Sequence, residues 1–185
     1  TGFYRVAPKT RLLLEGRNTH YDYINDNDQN NDTNALLAGV TWDATAKTSG
    51  TIKVGGEKVS YDNSNYSDET NATWEAGVEW RPRTYSTFNL TTAQSFQPGN
   101  NGGATVDSQT TGVRWNHHWL ERLSSDVSYS YTDNQYKNGS NQQDFIDIVG
   151  VGMTYEMRRW LDIGVGYKYA TDDSNAADQS YNGKI

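Results

Sequence analysis

Apolar residues in this chain recur at every second position over runs of about ten residues, and helical spacing is absent. The clearest run ends at Ala170: Leu161, Ile163, Val165, Tyr167 and Tyr169 alternate with Asp162, Gly164, Gly166 and Lys168. Strand side chains point to opposite faces with period two, so the run predicts a strand wetted on one face only. The short basic connection Met157-Arg158-Arg159 joins it to an equally long arm from Asp144, which predicts a hairpin. In that first arm Asp147 shares a face with Phe145, Val149, Val151 and Met153. The arm therefore carries either a bulge or an Asp147 paired above the apolar boundary.

The same unit repeats. Short connections with a basic residue occur at Pro8-Lys9-Thr10, Ala46-Lys47-Thr48, Pro82-Arg83-Thr84, Leu120-Glu121-Arg122 and Met157-Arg158-Arg159. Taking Lys9, Lys47, Arg83, Arg122 and Arg159 as markers, the spacings are 38, 36, 39 and 37. A period of about 37 accommodates two strands of about 11 residues, a tight turn and a longer loop. The longer polar stretches fall between the tight turns, at Asn25–Thr33, Asp62–Asn71, Pro98–Thr105, Lys137–Gln143 and Asp172–Ser180. Their Asn, Asp, Ser and Gly are loop chemistry. About ten strands are expected, plus an incipient one at Tyr181–Ile185.

Other strands show the alternation with varying clarity. Ala72, Trp74, Ala76, Val78 and Trp80 oppose Thr73, Glu75, Gly77, Glu79 and Arg81. Leu123, Val127, Tyr129 and Tyr131 oppose Ser124, Asp126, Ser128 and Ser130. From Ile52 and Val54 the phase is expected to slip at Gly55-Gly56, placing Val59 and Tyr61 outward, since paired glycines suit a bulge. A similar slip near Gly16 would move the outer face from Leu12 and Leu14 to Tyr21 and Tyr23. Phe88, Leu90 and Phe96 share one face of the least regular strand.

Short turns on one rim and long loops on the other are the asymmetry of an outer-membrane barrel. The competing reading is a soluble meander or blade repeat. Aromatic placement decides between them. Trp42, Trp80, Trp115 and Trp119 lie just before tight turns and Trp160 just after one, so five of the six tryptophans mark a single rim. Tyr21, Tyr23, Tyr61, Tyr129, Tyr131, Tyr136, Tyr167 and Tyr169 lie toward the long loops. Rings with one apolar and one wet end collect at the two interfaces of a bilayer. The fold expected is all-β: an antiparallel up-and-down transmembrane barrel segment spanning residues 1–185.

Composition then narrows the function. Only 34% of residues are hydrophobic, and no apolar run reaches the roughly 18 residues of a membrane helix. Barrel strands need only alternate apolar positions, so the low fraction excludes nothing there. The absence of cysteine removes disulfides and thiolate chemistry. A net charge of -7 without a basic cluster makes nucleic acid an unexpected partner. The chain begins at Thr1 without an initiator methionine and reads as a mature or trimmed segment.

Candidate chemistry is sparse. His117 and His118 are neighbours on opposite faces of a strand and cannot share one metal, while His20 stands apart. No serine sits in a Gly-x-Ser-x-Gly turn. Asp26-Asn27-Asp28-Gln29-Asn30-Asn31-Asp32 imitates the opening of a calcium loop. It lacks the sixth-position glycine and has Leu37 where the twelfth-position glutamate belongs. No cofactor, metal or catalytic residue is assigned. The face opposite the apolar one is more informative. It carries Glu15, Arg17, Lys53, Glu57, Glu75, Glu79, Arg81, Arg114, Asp126, Asp162 and Lys168 as lumen-facing candidates, with Gly77, Gly112, Gly164 and Gly166 leaving bare wall. Isolated charges cannot persist in a dry interior. The lumen is therefore expected to be watery, for passage of polar solutes, or filled by a lattice of cross-strand ion pairs.

The phrases YRVAPKTRLLLE (Tyr4–Glu15), VTWDATAKTSGTIKVG (Val40–Gly55), WRPRTYSTFNL (Trp80–Leu90) and MTYEMRRWLDIGVGYKYATDDSN (Met153–Asn175) carry a family resemblance. With them the chain resembles the β-barrel porin family often associated with exopolysaccharide export in Gram-negative bacteria. The resemblance implies an outer-membrane conduit for polysaccharide or another polar solute. It implies outer-membrane lipid and other envelope export proteins as partners, and carries over no catalytic residue. Members usually finish on a terminal aromatic, whereas this chain ends at Lys184-Ile185, early in a strand. Single-chain bacterial barrels also close with an even number of strands. Further strands are accordingly expected before Thr1 and after Ile185. Two other classes remain to be weighed: an interaction barrel whose acidic long loops bind a partner or surface glycan over a plugged lumen, and a hydrolase using the barrel as scaffold.

Overall fold

A computed structural model describes residues 1–22, 30–45, 47–99, 105–137, 141–176 and 181–184. They form eleven strands: β1 (Gly2–Ala7), β2 (Thr10–Tyr21), β3 (Asn31–Thr45), β4 (Thr48–Tyr61), β5 (Glu69–Arg83), β6 (Ser86–Pro98), β7 (Thr105–Leu120), β8 (Leu123–Lys137), β9 (Gln143–Arg158), β10 (Leu161–Ser174) and β11 (Tyr181–Lys184). No helix occurs among the described residues. Each strand pairs antiparallel with its sequence neighbours in one sheet of order β1 to β11. Within these residues the sheet is open, with β1 and β11 at its edges.

The 37-residue rhythm is written into the backbone. The amides of Asp43, Arg81, His118 and Glu156 donate to the carbonyls of Lys9, Lys47, Tyr85 and Arg122, at 2.9, 2.7, 2.8 and 2.8 Å. Each bond ties a strand to the short turn of the preceding hairpin. The ladder slips beside every short turn, at Arg5/Ala7, Trp42/Thr45, Trp80/Arg83, His118/Leu120 and Leu161/Asp162. Bulges at a barrel rim end pairing where strands must turn back. Two turns sit later than the sequence suggests: β5 continues through Arg83 and turns at Thr84-Tyr85, while Trp160 occupies its turn with Arg159.

Strands β2 to β10 are 12 to 16 residues long, beyond the roughly 11 expected. The excess lies at the long-loop end, where Asn31–Thr33, Glu69–Asn71 and Asp172–Ser174 belong to strands. Above an apolar band both faces are wet, so Asn, Asp and Thr continue the ladder without desolvation cost. Tyr23, most of the calcium-like segment (Asp26–Gln29) and Ile185 lie outside the described residues.

Both expected phase slips are absent. The β3–β4 ladder runs without interruption from Asn31↔Tyr61 to Trp42↔Gly50, and β2–β3 is continuous from Thr10 to Tyr21. Val59, Tyr61 and Tyr21 therefore share the face of Glu57 and Arg17, opposite to Val54 and Leu14. Glycine at 55 serves close approach instead: a Cβ there would overlap the Leu36 carbonyl and crowd Leu37. Gly39 is equally hemmed by the Ile52 carbonyl and Lys53. The space frees a small apolar nucleus in which Leu37 is 0% and Val59 1% exposed. The register around Asp147 is also unbroken, and its carboxylate accepts the Tyr129 hydroxyl at 2.5 Å. Asp147 is thus paired on the apolar face, one position beyond Val149.

Candidate functional site

Register sorts the side chains into two sheet faces. One row across the sheet reads Leu13, Gly39, Lys53, Glu75, Ala93, Thr110, Thr132, Ile146 and Asp172; another reads Asn89, Arg114, Ser128, Gly150 and Lys168. By the same alternation Glu15, Arg17, Glu57, Glu79, Asp126 and Asp162 share this face. Arg81 joins them through its ion pair with Glu79 at 2.9 Å. The face is concave. Arg17 on β2 reaches Glu75 on β5, and Glu15 pairs with Lys53 two strands away at 3.5 Å. Side chains that far apart in a sheet meet only when the sheet curls toward them.

The concave wall has two characters. On β2–β5, Arg17 pairs with Glu15 and Glu75, and Lys53 pairs with Glu75 and Glu15, so two cations bind two carboxylates in a closed lattice. On β7–β10, Arg114, Asp126, Asp162 and Lys168 make no ion pair among the described residues. Around them the wall is small and hydroxyl-rich: Gly112, Ser124, Ser128, Ser130, Gly150, Gly152, Gly164 and Gly166. Asp126 lies over Gly152, where a Cβ would collide with its carboxylate. The sequence placed all these charges on one face, but not the split into a neutralised half and an open half.

A further feature escaped sequence reading altogether. Pairing of β5 with β6 stops at Trp74↔Gln94, although β6 runs on to Pro98. Above that point the ends of β6 and β7 lie against the concave face of β4 and β5. The backbone N–H of Phe96, without a β5 partner, donates to Glu57 Oε2 at 2.8 Å. Asn71 donates to Asp107, Gln94 Nε2 also donates to Asp107 at 3.0 Å, and the Tyr61 hydroxyl meets that of Thr105. Phe96, Thr105, Val106 and Asp107 are buried. Phe96 keeps the register face of Phe88 and Leu90 but, unlike Leu90, is buried, because the end of β6 lies over β4 and β5. Glu57 and Phe96, Asn71 and Asp107, and Tyr61 and Thr105 are 39, 36 and 44 residues apart, and no local pattern signals their meeting.

The convex face is apolar and open, with Leu36, Val54, Leu90, Val151, Ile163 and Val165 all exposed. An uncovered apolar surface spanning ten strands belongs against lipid. Trp42, Trp80, Trp115 and Trp119 stand on it beside the short turns, with Trp160 in a turn at 78% exposure. Phe88 stacks on Trp115 with centroids 6.0 Å apart, and Trp115 Nε1 donates to Ser86 at 2.8 Å. Tyr167 and Tyr169 stand on the same face of β10 toward the loops, as do Tyr129 and Tyr131 on β8. Tyr21, Tyr61 and Tyr136 fall on the concave register, so the loop-side ring contains fewer tyrosines than their sequence positions suggest. His117 packs among Trp115, Trp119 and Tyr85, while His118 takes the opposite face. His20 Nδ1 lies 2.9 Å from Asp32 Oδ1.

A meander of long antiparallel strands, an apolar convex band with aromatic margins and a charged concave wall define an outer-membrane β-barrel protein. The chain belongs to the family described as "Putative beta-barrel porin 2", which it matches over residues 2–185. The bacterial outer membrane is its location. No curated protein matches it in sequence. Its fold is similar to that of the FrpB iron transporter from Neisseria meningitidis (F3-3 variant), with a TM-score of 0.66 at 13% identity. The match covers 97% of this chain and 36% of that one. It is also similar to a loop L8 deletion mutant of OmpT, an outer membrane protein of Vibrio cholerae. There the TM-score is 0.51 at 14% identity, covering 99% of this chain and 59% of the other. The chain thus spans less than two thirds of either structure.

Proposed function

We propose that this chain forms part of the wall of a passive outer-membrane channel for polar solutes, exported polysaccharide among them. The observation that carries the reading is the β7–β10 half of the concave face. Its Gly, Ser and Thr leave space and hydroxyls, while Arg114, Asp126, Asp162 and Lys168 stay unneutralised by neighbours. Such a wall exchanges hydrogen bonds with water or sugar hydroxyls without binding either tightly. The β2–β5 lattice holds the curved wall in shape and adds little net charge. Family membership supports the porin class. In this reading polysaccharide is handed to the lumen by other envelope export proteins.

The test is conductance of the full-length protein in planar bilayers, with swelling of proteoliposomes in oligosaccharide solution. Stable current steps and sugar-dependent swelling are expected. A folded protein that passes neither ions nor sugars would overturn the channel.

One observation favours a second reading, an interaction barrel with an obstructed lumen. The ends of β6 and β7 already lie against the concave face, fixed by Glu57 and Asn71. In that case the acidic loops would bind a partner or surface glycan, and the glycan would bind without any conductance.

A further inference from the structure

On the concave face, Gly77 of β5 stands between Thr51 of β4 and Thr91 of β6 in one register row. A Cβ at Gly77 would meet nothing within 4 Å, so the glycine leaves a gap in the wall between two threonines. Two adjoining recesses open over it, of about 460 and 520 Å³, and both are lined by Thr51, Gly77 and Thr91. The first extends to Lys53 and Glu75, one row nearer the long loops. The second extends to Glu79 and Asn89, one row nearer the short turns. Together they form a groove along β5, about 14 Å from Glu75 to Glu79 at about 3.4 Å per strand residue.

The lining is polar without surplus charge. Lys53 is held by Glu15 and Glu75, and Glu79 pairs with Arg81 at 2.9 Å, so each charge at the two ends already has its counter-charge. The Thr51 hydroxyl donates to Thr41 at 3.0 Å and keeps a lone pair with which to accept. Thr91 and Asn89 make no side-chain hydrogen bond among the described residues. Hydroxyl and amide groups both donate and accept. An ion entering the groove finds no charge left to pair with, and an apolar solute leaves these groups unmet. A pyranose ring, whose hydroxyls each donate and accept, satisfies both conditions. The groove is long enough for two linked rings, and it runs with the strands, as a chain passing through the lumen would.

We propose that this groove on β4–β6 is a binding site for an uncharged saccharide, held two rings at a time. The direction of passage rests on the channel reading; the chemistry of the groove does not.

Binding of cellobiose and maltose to the folded full-length barrel in detergent micelles would be measured by isothermal titration calorimetry. At least one disaccharide is expected to bind, and more tightly than glycerol or the anion cellobionate. Thr91→Val keeps the side chain's shape and removes its hydroxyl, and should weaken binding about five-fold, the equivalent of one hydrogen bond. Gly77→Ile fills the groove and should abolish binding. Gly16→Ile, at a glycine with equally open surroundings on the convex face, should leave binding unchanged. Heat-modifiable gel mobility identifies folded variants, and Thr91→Val carries the test if Gly77→Ile does not fold. Binding of neither disaccharide, full affinity in either folded groove variant, equal loss in Gly16→Ile, or binding of glycerol or cellobionate as tight as that of the disaccharide would overturn the site. Planar-bilayer conductance separates this site from the channel reading. Saccharide binding without conductance would sink the channel and keep the site, and conductance without saccharide binding would do the opposite.

Discussion

Val165 stands on the convex face opposite Met153, with 75% of its surface open. Facing water that exposure would promote aggregation; facing acyl chains it is the resting state of a barrel strand. Val165→Arg should cost about 2–4 kcal/mol if the position lies near the bilayer midplane, read as a lowered urea midpoint in lipid vesicles. An unchanged midpoint would refute the face assignment. At the long-loop end, Asp68 accepts from Lys58 at 2.9 Å and from the Tyr61 amide at 3.3 Å. The hydrogen bond from Lys58 and its positive charge hold the Asp68 carboxyl below its ordinary value. With the folded pKa depressed, the tether is present above the ordinary aspartate pKa and is lost as pH falls through the lower folded value. The protection of the Tyr61 amide, relative to its intrinsic exchange rate, should fall in that acid range and hold between pH 5 and 8. In Asp68→Asn the acid loss of protection should vanish.

Among the elements, the β6–β7 pair behaves least like a generic barrel hairpin, because β6 leaves β5 after Gln94. Glu57, 9% exposed, supplies the acceptor that β5 would otherwise provide. Glu57→Ala strands the Phe96 N–H, and an unmet buried donor costs about 1–3 kcal/mol. The loss should appear in the unfolding midpoint and as faster exchange at Phe96, while Glu57→Gln, which keeps an acceptor oxygen, should recover most of it. If Glu57→Ala left Phe96 exchange unchanged, the anchoring of β6 by this carboxylate would be wrong. The turns illustrate the opposite regime. Their bulges and inter-hairpin bonds recur with the repeat, so each is specified by its own short stretch of sequence.

For the molecule as a whole, the two halves of the concave wall should respond differently to charge changes. Lys168 lies opposite Gly150 on β9, in an open stretch of wall, whereas Lys53 is locked between Glu15 and Glu75. Lys168→Glu should shift the reversal potential toward cation selectivity in a salt gradient, with little change in stability. Lys53→Gln should do the reverse, lowering stability by releasing two neighbouring carboxylates from their partner. Equal effects of the two substitutions on selectivity would show that the lattice faces the permeation path as fully as β7–β10 does.

Alternation, short basic turns and their spacing were enough to determine an antiparallel meander, its two faces and the aromatic rim. Each follows from geometry within a few residues: side chains alternate along a strand, and tight turns join adjacent antiparallel strands. The same local logic failed at Gly55-Gly56 and Gly16. A glycine pair permits a bulge and permits close strand approach equally well, and only the partner strand selects between them. Val59 and Leu37 consequently form a dry nucleus on the face the charges occupy. Strand ends were also obscured, because Asn, Asp and Thr read as loop but pair well where both faces are wet. Curvature was decided by tertiary structure alone. It determines that Arg17 meets Glu75 across three strands, that Glu57 captures a β6 amide, and that Arg114 and Lys168 have no carboxylate partner among the described residues. Those meetings depend on how far the sheet bends, a property of all its strands together and of no single one.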